Sequence, residues 1–164
     1  MKASIEQTEL LKAMAKVQSI VERRTTIPIL SNVLIEAKDS SLYLRTTDLD
    51  IEVLDKVEAI IETPGSLTVG ANTLYEIVRK LPDGSRVEFL NEIGSSQLEI
   101  VASRSRFFLS TLPKEDFPII DQDNSGVNIK INSKILFKLI DKTKFAISNE
   151  ETRYFLNGLY FNIT

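Results

Sequence analysis

The sequence repeats itself three times, and that repetition limits the architectures open to it. Displaced by 64 residues, the chain sets Ile5 on Val69, Leu10 on Leu74, Leu11 on Tyr75, Met14 on Val78, Lys16 on Lys80 and Val17 on Leu81. Displaced by 126, it sets Ile5 on Ile131, Leu10 on Leu136, Leu11 on Phe137, Lys12 on Lys138, Met14 on Ile140 and Lys16 on Lys142. The second match runs on without a gap through Thr26 on Thr152, Leu30 on Leu156, Val33 on Leu159 and Ile35 on Phe161. Any two amphipathic helices align tolerably, but a match that continues into the following strand is harder to reach by chance. One unit thus begins near residues 3, 67 and 129. A chain of copies folds by packing one supersecondary unit against the next.

Each unit opens with a short alternating strand and continues as a helix. Leu10, Leu11, Met14 and Val17 share one face at helical spacing, as do Leu74, Ile77, Val78 and Leu81, and then Leu136, Ile140 and Thr143. Thr8, Asn72 and Ser133 are expected at the helix N-termini, where their side chains can accept from free backbone N–H groups. Pro82-Asp83-Gly84 stops the second helix. Alternating strands then follow at 32–36, 41–45 and 51–57 in the first unit, and at 86–90, 97–101 and 106–110 in the second. The fold class is therefore α+β. The unit is strand–helix–strand–strand–strand, and two units make a domain over residues 1–121. Residues 122–128 read as a polar linker, and 129–164 as the start of a further, incomplete domain. A strand–helix–strand remnant cannot finish a two-unit domain, so the chain is expected to be a fragment or to lack the second half of that repeat.

The faces opposite the apolar stripes carry lysine. Lys12 and Lys16 project away from Leu10 and Met14, and Lys134, Lys138 and Lys142 form an i, i+4, i+8 stripe. The repeat places a lysine at one outward position three times, as Lys16, Lys80 and Lys142; Arg23 and Arg24 follow the first helix. A solvated helix face is the ordinary explanation of lysine on one helix. Recurrence across three units favours a row of ammonium groups suited to sequence-independent contact with phosphates. The net charge of −3 then requires the basic groups to gather on one face.

Cysteine and histidine are both absent. That removes disulfides, thiolate nucleophiles, zinc sites built on Cys or His, and histidine acid–base chemistry. No cofactor is expected. No apolar run approaches the roughly 18 residues of a membrane span, and the N-terminus lacks the apolar stretch of a signal peptide. No membrane partner and a cytoplasmic location are the corresponding expectations.

Several short motifs resemble one family. Thr26-Ile27-Pro28-Ile29-Leu30-Ser31-Asn32, Thr46-Thr47-Asp48-Leu49-Asp50, Arg104-Ser105-Arg106-Phe107, Ser110-Thr111-Leu112-Pro113, Asp116-Phe117-Pro118 and Arg153-Tyr154-Phe155-Leu156-Asn157-Gly158 are similar, in order and spacing, to segments of the bacterial DNA sliding clamp, the beta subunit of DNA polymerase III. The resemblance spans the whole chain and identifies 129–164 as the start of the clamp's middle domain.

It implies the DNA-clamp fold, with helices inside and antiparallel sheets outside. It also implies a non-catalytic processivity factor that encircles double-stranded DNA as a head-to-tail homodimer when full length. A clamp loader, the polymerase III alpha subunit and other clamp-binding proteins are the implied partners. Among DNA contacts it implies Arg24 first, and Tyr154 beside it; Asn72 and Glu150 depart from the pattern. Leu81, Arg104, Arg106, Phe107 and Leu109 match the first-domain side of the ring interface, although Phe107 and Leu109 also suit plain strand packing. Arg153 and Leu156 match two walls of the partner-peptide pocket, most of which lies beyond residue 164. This piece alone is expected neither to close a ring nor to bind clamp peptides well.

Two other classes stay open on the residues alone. Asp48-Leu49-Asp50 or Glu150-Glu151 could hold a metal in an enzyme, though an Asp-X-Asp at a strand entry is usually a turn. A β-rich protein-interaction module without a DNA role is the other. The chain has no phosphate-binding glycine loop or nucleophile elbow.

Overall fold

Alternation and helical periodicity become strands and helices where the sequence places them. The computed structural model describes residues 1–21, 26–120, 129–148 and 150–162. They fall into two units, Met1–Asp121 and Gln122–Thr164.

In the first unit, β1 (Lys2–Glu6) runs directly into α1 (Gln7–Val17), and β2 (Asn32–Lys38), β3 (Ser41–Thr47) and β4 (Glu52–Glu58) follow. The second repeat is β6 (Gly65–Gly70), α2 (Ala71–Lys80), β7 (Arg86–Leu90), β8 (Gln97–Ala102) and β9 (Ser105–Leu112). A short strand the periodicity does not mark, β5 (Ile60–Thr63), lies between the two repeats. The described strands form one antiparallel sheet in the order β4-β3-β2-β6-β9-β8-β7-β1-β5.

The two repeats exchange their opening strands. Ile5 of β1 stands opposite Val87 of β7, and Val69 of β6 stands opposite Val33 of β2. Neither repeat completes its own sheet. The halves meet at β6 and β9, which share two residue pairs, Thr68 with Leu112 and Val69 with Thr111.

One face of the sheet carries both helices. Leu10, Met14 and Val17 of α1, and Leu74 and Val78 of α2, are fully buried against Val33, Ile35, Leu42, Leu44, Phe89, Leu98 and Ile100. Fully burying a side chain of this size is worth roughly 1.5–3 kcal/mol. The helices lie antiparallel: Gln7 Nε2 donates to the Val78 carbonyl at 2.9 Å, and Gln18 Nε2 donates to Asn72 Oδ1 at 2.9 Å. Ile29, Leu30, Leu34 and Phe117 form a smaller separate cluster.

The expected N-terminal caps are displaced. Thr8 and Asn72 lie inside the first turns, and Glu6 and Gly70 precede the helices without a side-chain cap. Strand passes straight into helix at both places, so there is no loop residue to fold back. In the third repeat the cap is Asn132 and not Ser133; its side chain accepts from the Lys134 N–H at 3.0 Å.

In the second unit, α3 (Ser133–Thr143) forms as its periodicity predicts. The strand expected near residue 129 and the one expected after the helix are not formed among the described residues. In the first unit each opening strand is paired by a strand of the other repeat. The expected linker, 122–128, lies outside the described residues.

Candidate nucleic-acid interface

Helix periodicity decides which side chains α1 and α2 turn outward. With Leu10, Ala13, Met14 and Val17 in the core, Lys12 and Lys16 emerge on the opposite face of α1. Lys12 Nζ sits 2.7 Å from Glu9 Oε1, one helical turn earlier. That hydrogen bond, and the charge behind it, hold the Lys12 ammonium above its ordinary pKa. Lys16 Nζ reaches across to Asp55 Oδ2 on β4 at 2.9 Å.

Neither pair closes the site to phosphate. Both lysines remain more than three-fifths exposed, and exposed ion pairs are worth about 0–1 kcal/mol. On α2, Arg79 is held by Glu76 at 2.6 Å. Lys80, at the end of that helix, is exposed and has no charged partner among the described residues. The structure thus brings Lys12, Lys16 and Lys80 to the helix side of one sheet.

In the second unit, Lys134, Lys138 and Lys142 stand along α3 at successive turns, all exposed. Asp141, the one acidic residue of that helix, is taken by Lys144 at 2.8 Å. The stripe is therefore three ammonium groups at i, i+4 and i+8 without a neutralising carboxylate among the described residues. Arg23 and Arg24 lie outside the described residues, and so does the side chain of Tyr154.

The residues matched to a ring interface gather at one end of the first unit. Arg106 and Phe107 lie on β9, and exposed Arg104 precedes them in the β8–β9 turn. Arg106 Nε is 3.0 Å from Glu99 Oε1 on β8. Phe107, half-buried, lines a groove of about 520 Å³ with Leu81, Ile77, Thr73 and Lys80. Leu109 and Leu81 belong to the core and are 7% and 6% exposed.

Sequence reasoning missed the open edge here. Among the described residues, 105–110 pair with β8 alone, because β6 reaches only Thr111 and Leu112 before the chain turns into α2. An unpaired strand edge beside an apolar groove is a template for another strand. Nothing local in Ser105–Ser110 signals it; only the pairing of β6 does.

In the second unit, Arg153 is exposed and lies 3.2 Å from Glu150. Leu156 is 44% exposed, and its carbonyl accepts from Ser148 N–H at 3.0 Å. The Asp48-Leu49-Asp50 segment is a tight turn: Asp48 Oδ1 accepts from the N–H groups of Asp50 at 3.0 Å and Ile51 at 2.7 Å. That carboxylate is engaged in shaping the backbone. No described helix is long and apolar enough to cross a membrane.

Comparison with known proteins places this arrangement in context. Residues 1–121 match the family described as DNA polymerase III beta subunit, N-terminal domain. The chain is 53% identical over 160 residues to the beta sliding clamp of Caulobacter vibrioides, covering 98% of this chain and 43% of that protein. It is 39% identical over 163 residues to the beta sliding clamp of Rickettsia bellii, covering 99% and 42%. Among solved structures, the DNA polymerase sliding clamp from Caulobacter crescentus superposes with a TM-score of 0.92 at 53% identity, over 98% of this chain and 43% of that one. The sliding clamp from Bartonella birtlesii bound to griselimycin superposes at 0.94 with 44% identity, over 100% and 44%. The chain spans less than half the length of these relatives.

Proposed function

The chain belongs to the DNA polymerase III beta subunit, N-terminal domain family, and on that premise we propose that it supplies the first domain, and the start of the second, of a sliding clamp. The clamp encircles duplex DNA, tethers the replicative polymerase and acts without catalysis. The observation that carries this reading is the repeated outward lysine on helices that share one side of a sheet. Flexible ammonium groups attract phosphates without reading bases. Weak, exchangeable contacts let a protein slide, and retention comes from topology. Arg23 and Arg24 complete the basic surface in this reading, with Tyr154 beside the DNA path.

The open edge of β9 and the groove at Leu81 and Phe107 support a heterologous contact with a second full-length chain, with Arg104 and Arg106 contributing charge. Arg153 and Leu156 form part of a wall for clamp-binding peptides, among them one from the polymerase III alpha subunit. Residues 129–164 begin the middle domain after a linker at 122–128, and an ATP-driven loader opens the ring.

The test is a chimera in which this chain replaces the matching segment of the Caulobacter vibrioides clamp. Loaded onto nicked circular DNA, the chimera is expected to persist at high salt and to be lost once the circle is cut. Equal persistence on linear and circular DNA would show that it binds DNA without encircling it, and the proposal would fail.

A further inference from the structure

On β4, Val53 and Val57 pack against the core, and Asp55 lies between them at the same phase of the alternation. Its partner across the ladder is Leu44, which is fully buried. The Asp55 side chain is 20% exposed. A carboxylate at so apolar a position is costly unless it is paired. Its partner is Lys16, whose Nζ lies 2.9 Å from Asp55 Oδ2 across the packing of α1 on β4.

The second repeat shows that packing alone does not call for this carboxylate. Val33 and Val87 are equivalent, since each faces the opening strand of the other repeat. From there Ile35 matches Phe89, Leu44 matches Ile100, and Asp55 matches Phe107. An apolar residue fills the position there. Lys16 and Lys80 are equivalent as well. The lysine with a carboxylate beneath it is held in an ion pair, while Lys80 has no charged partner among the described residues.

Resting on the clamp function proposed for the chain, we propose that Asp55 is a built-in substitute for a DNA phosphate. It holds Lys16 while no duplex is near and weakens that lysine's grip on a duplex that arrives. The strand fixes the carboxylate, whereas the Lys16 side chain is 64% exposed and its four-carbon stem can swing. A phosphate can take the ammonium only by leaving Asp55 charged, unpaired and four-fifths buried. That carboxylate also repels the phosphate. The contact is weaker than one made by Lys80 and exchanges faster. In a ring that keeps its DNA by topology, a weak contact here lowers the resistance to sliding without loss of retention. Glu9 holds Lys12 in a milder form, because it is 51% exposed and solvent screens its charge.

The test introduces Asp55→Asn, which keeps the side-chain shape and removes the charge, into the Caulobacter vibrioides chimera. Binding to a short duplex is followed by fluorescence anisotropy over about 50–200 mM salt. Asp55→Asn is expected to tighten binding about two- to fivefold and to steepen the salt dependence by up to about 0.9 unit for each chain in contact. Asp55→Glu, which keeps the charge, is expected to bind as the unaltered chain does. Lys16→Ala is expected to weaken binding more in the Asp55→Asn background than alone, a coupling that a purely structural role of Asp55 does not produce. Asp55→Thr, well suited to a strand, takes the place of Asp55→Asn if that variant misfolds. Unchanged or looser binding in Asp55→Asn, with Lys16→Ala still weakening it, overturns the proposal and leaves Lys16 facing the duplex. Indifference to Lys16→Ala in both backgrounds overturns the proposal together with the DNA-facing assignment of Lys16.

Discussion

Thr68 lies where the two halves of the sheet meet, and replacing it with valine isolates the polar part of that joint. Its hydroxyl accepts from Asn32 Nδ2 at 3.1 Å and donates to the Leu112 carbonyl at 3.0 Å, which ties β2, β6 and β9 together. The residue is fully buried. Thr68→Val keeps the shape and removes both bonds, so no cavity term enters. Leaving the Asn32 amide as a buried donor without an acceptor costs about 1–3 kcal/mol, and the lost bond to the carbonyl adds about 0.5–1.5 kcal/mol. The total is about 1.5–4.5 kcal/mol, against about 6–18 kcal/mol for a domain of this size.

Urea denaturation is expected to show a lower midpoint at an unchanged slope, and thermal melting a fall of roughly 6–18 °C. Removing both partners, as Asn32→Leu with Thr68→Val, leaves no orphan. The double variant is therefore expected to cost at least about 1 kcal/mol less than the two single costs summed. A loss below about 1 kcal/mol for Thr68→Val, or strict additivity in the cycle, would refute the idea that this relay fastens the halves.

Leu49 has a φ of 82° and is half exposed. A left-handed conformation costs an L-residue about 1–2 kcal/mol, so Leu49→Gly is expected to raise thermal stability by about 0.5–1 kcal/mol after glycine's own entropy cost; a fall would mean the side chain makes contacts worth more than the strain. Exchanging Lys134, Lys138 and Lys142 together for alanine is expected to flatten the salt dependence of duplex binding by about 2–3 units of slope, measured by fluorescence anisotropy, if all three release counterions. Lys12→Ala and Lys16→Ala should each change it less, because Glu9 and Asp55 already neutralise those groups in part. An unchanged slope in the triple variant would remove α3 from the DNA surface.

Apolar periodicity was sufficient to locate the α-helices of all three repeats and every strand of the first unit but β5. Burial on one side of a helix or sheet leaves a period that side-chain identity alone can display. β5 carries no such signal: Ile60-Ile61-Glu62-Thr63 is too short to show a period, and it is a strand because β1 offers an edge. The third repeat fails in the opposite way. Ile129 and Ile131 have strand spacing, yet their pairing partner is not supplied by neighbouring residues.

The outward lysines were legible from the helical angle; their engagement by Glu9 and Asp55 was only half so. Glu9 is three residues from Lys12, whereas Asp55 reaches Lys16 through the packing of α1 on β4. Gln7 is the clearest omission. It looks like a surface residue, but its alignment with buried Ala71 was the available hint that it belongs inside.

Exchange of opening strands also orders events during synthesis. β1 leaves the ribosome first, but both of its neighbours come much later: β5 ends at Thr63 and β7 at Leu90. At about 5–20 residues per second, the wait from residue 6 to residue 90 lasts about 4–17 s. Until β7 is made, β1 has at most the short strand β5 to pair with, and Ile5 lacks the partner it meets in the finished sheet. Once the domain closes, Met1 is anchored on Asn91, its ammonium donating to the Asn91 carbonyl at 2.7 Å and its carbonyl accepting from the Asn91 N–H at 2.9 Å. Trimming the first six residues would therefore remove an interior strand of the sheet, where an ordinary terminus would have lost only a tail.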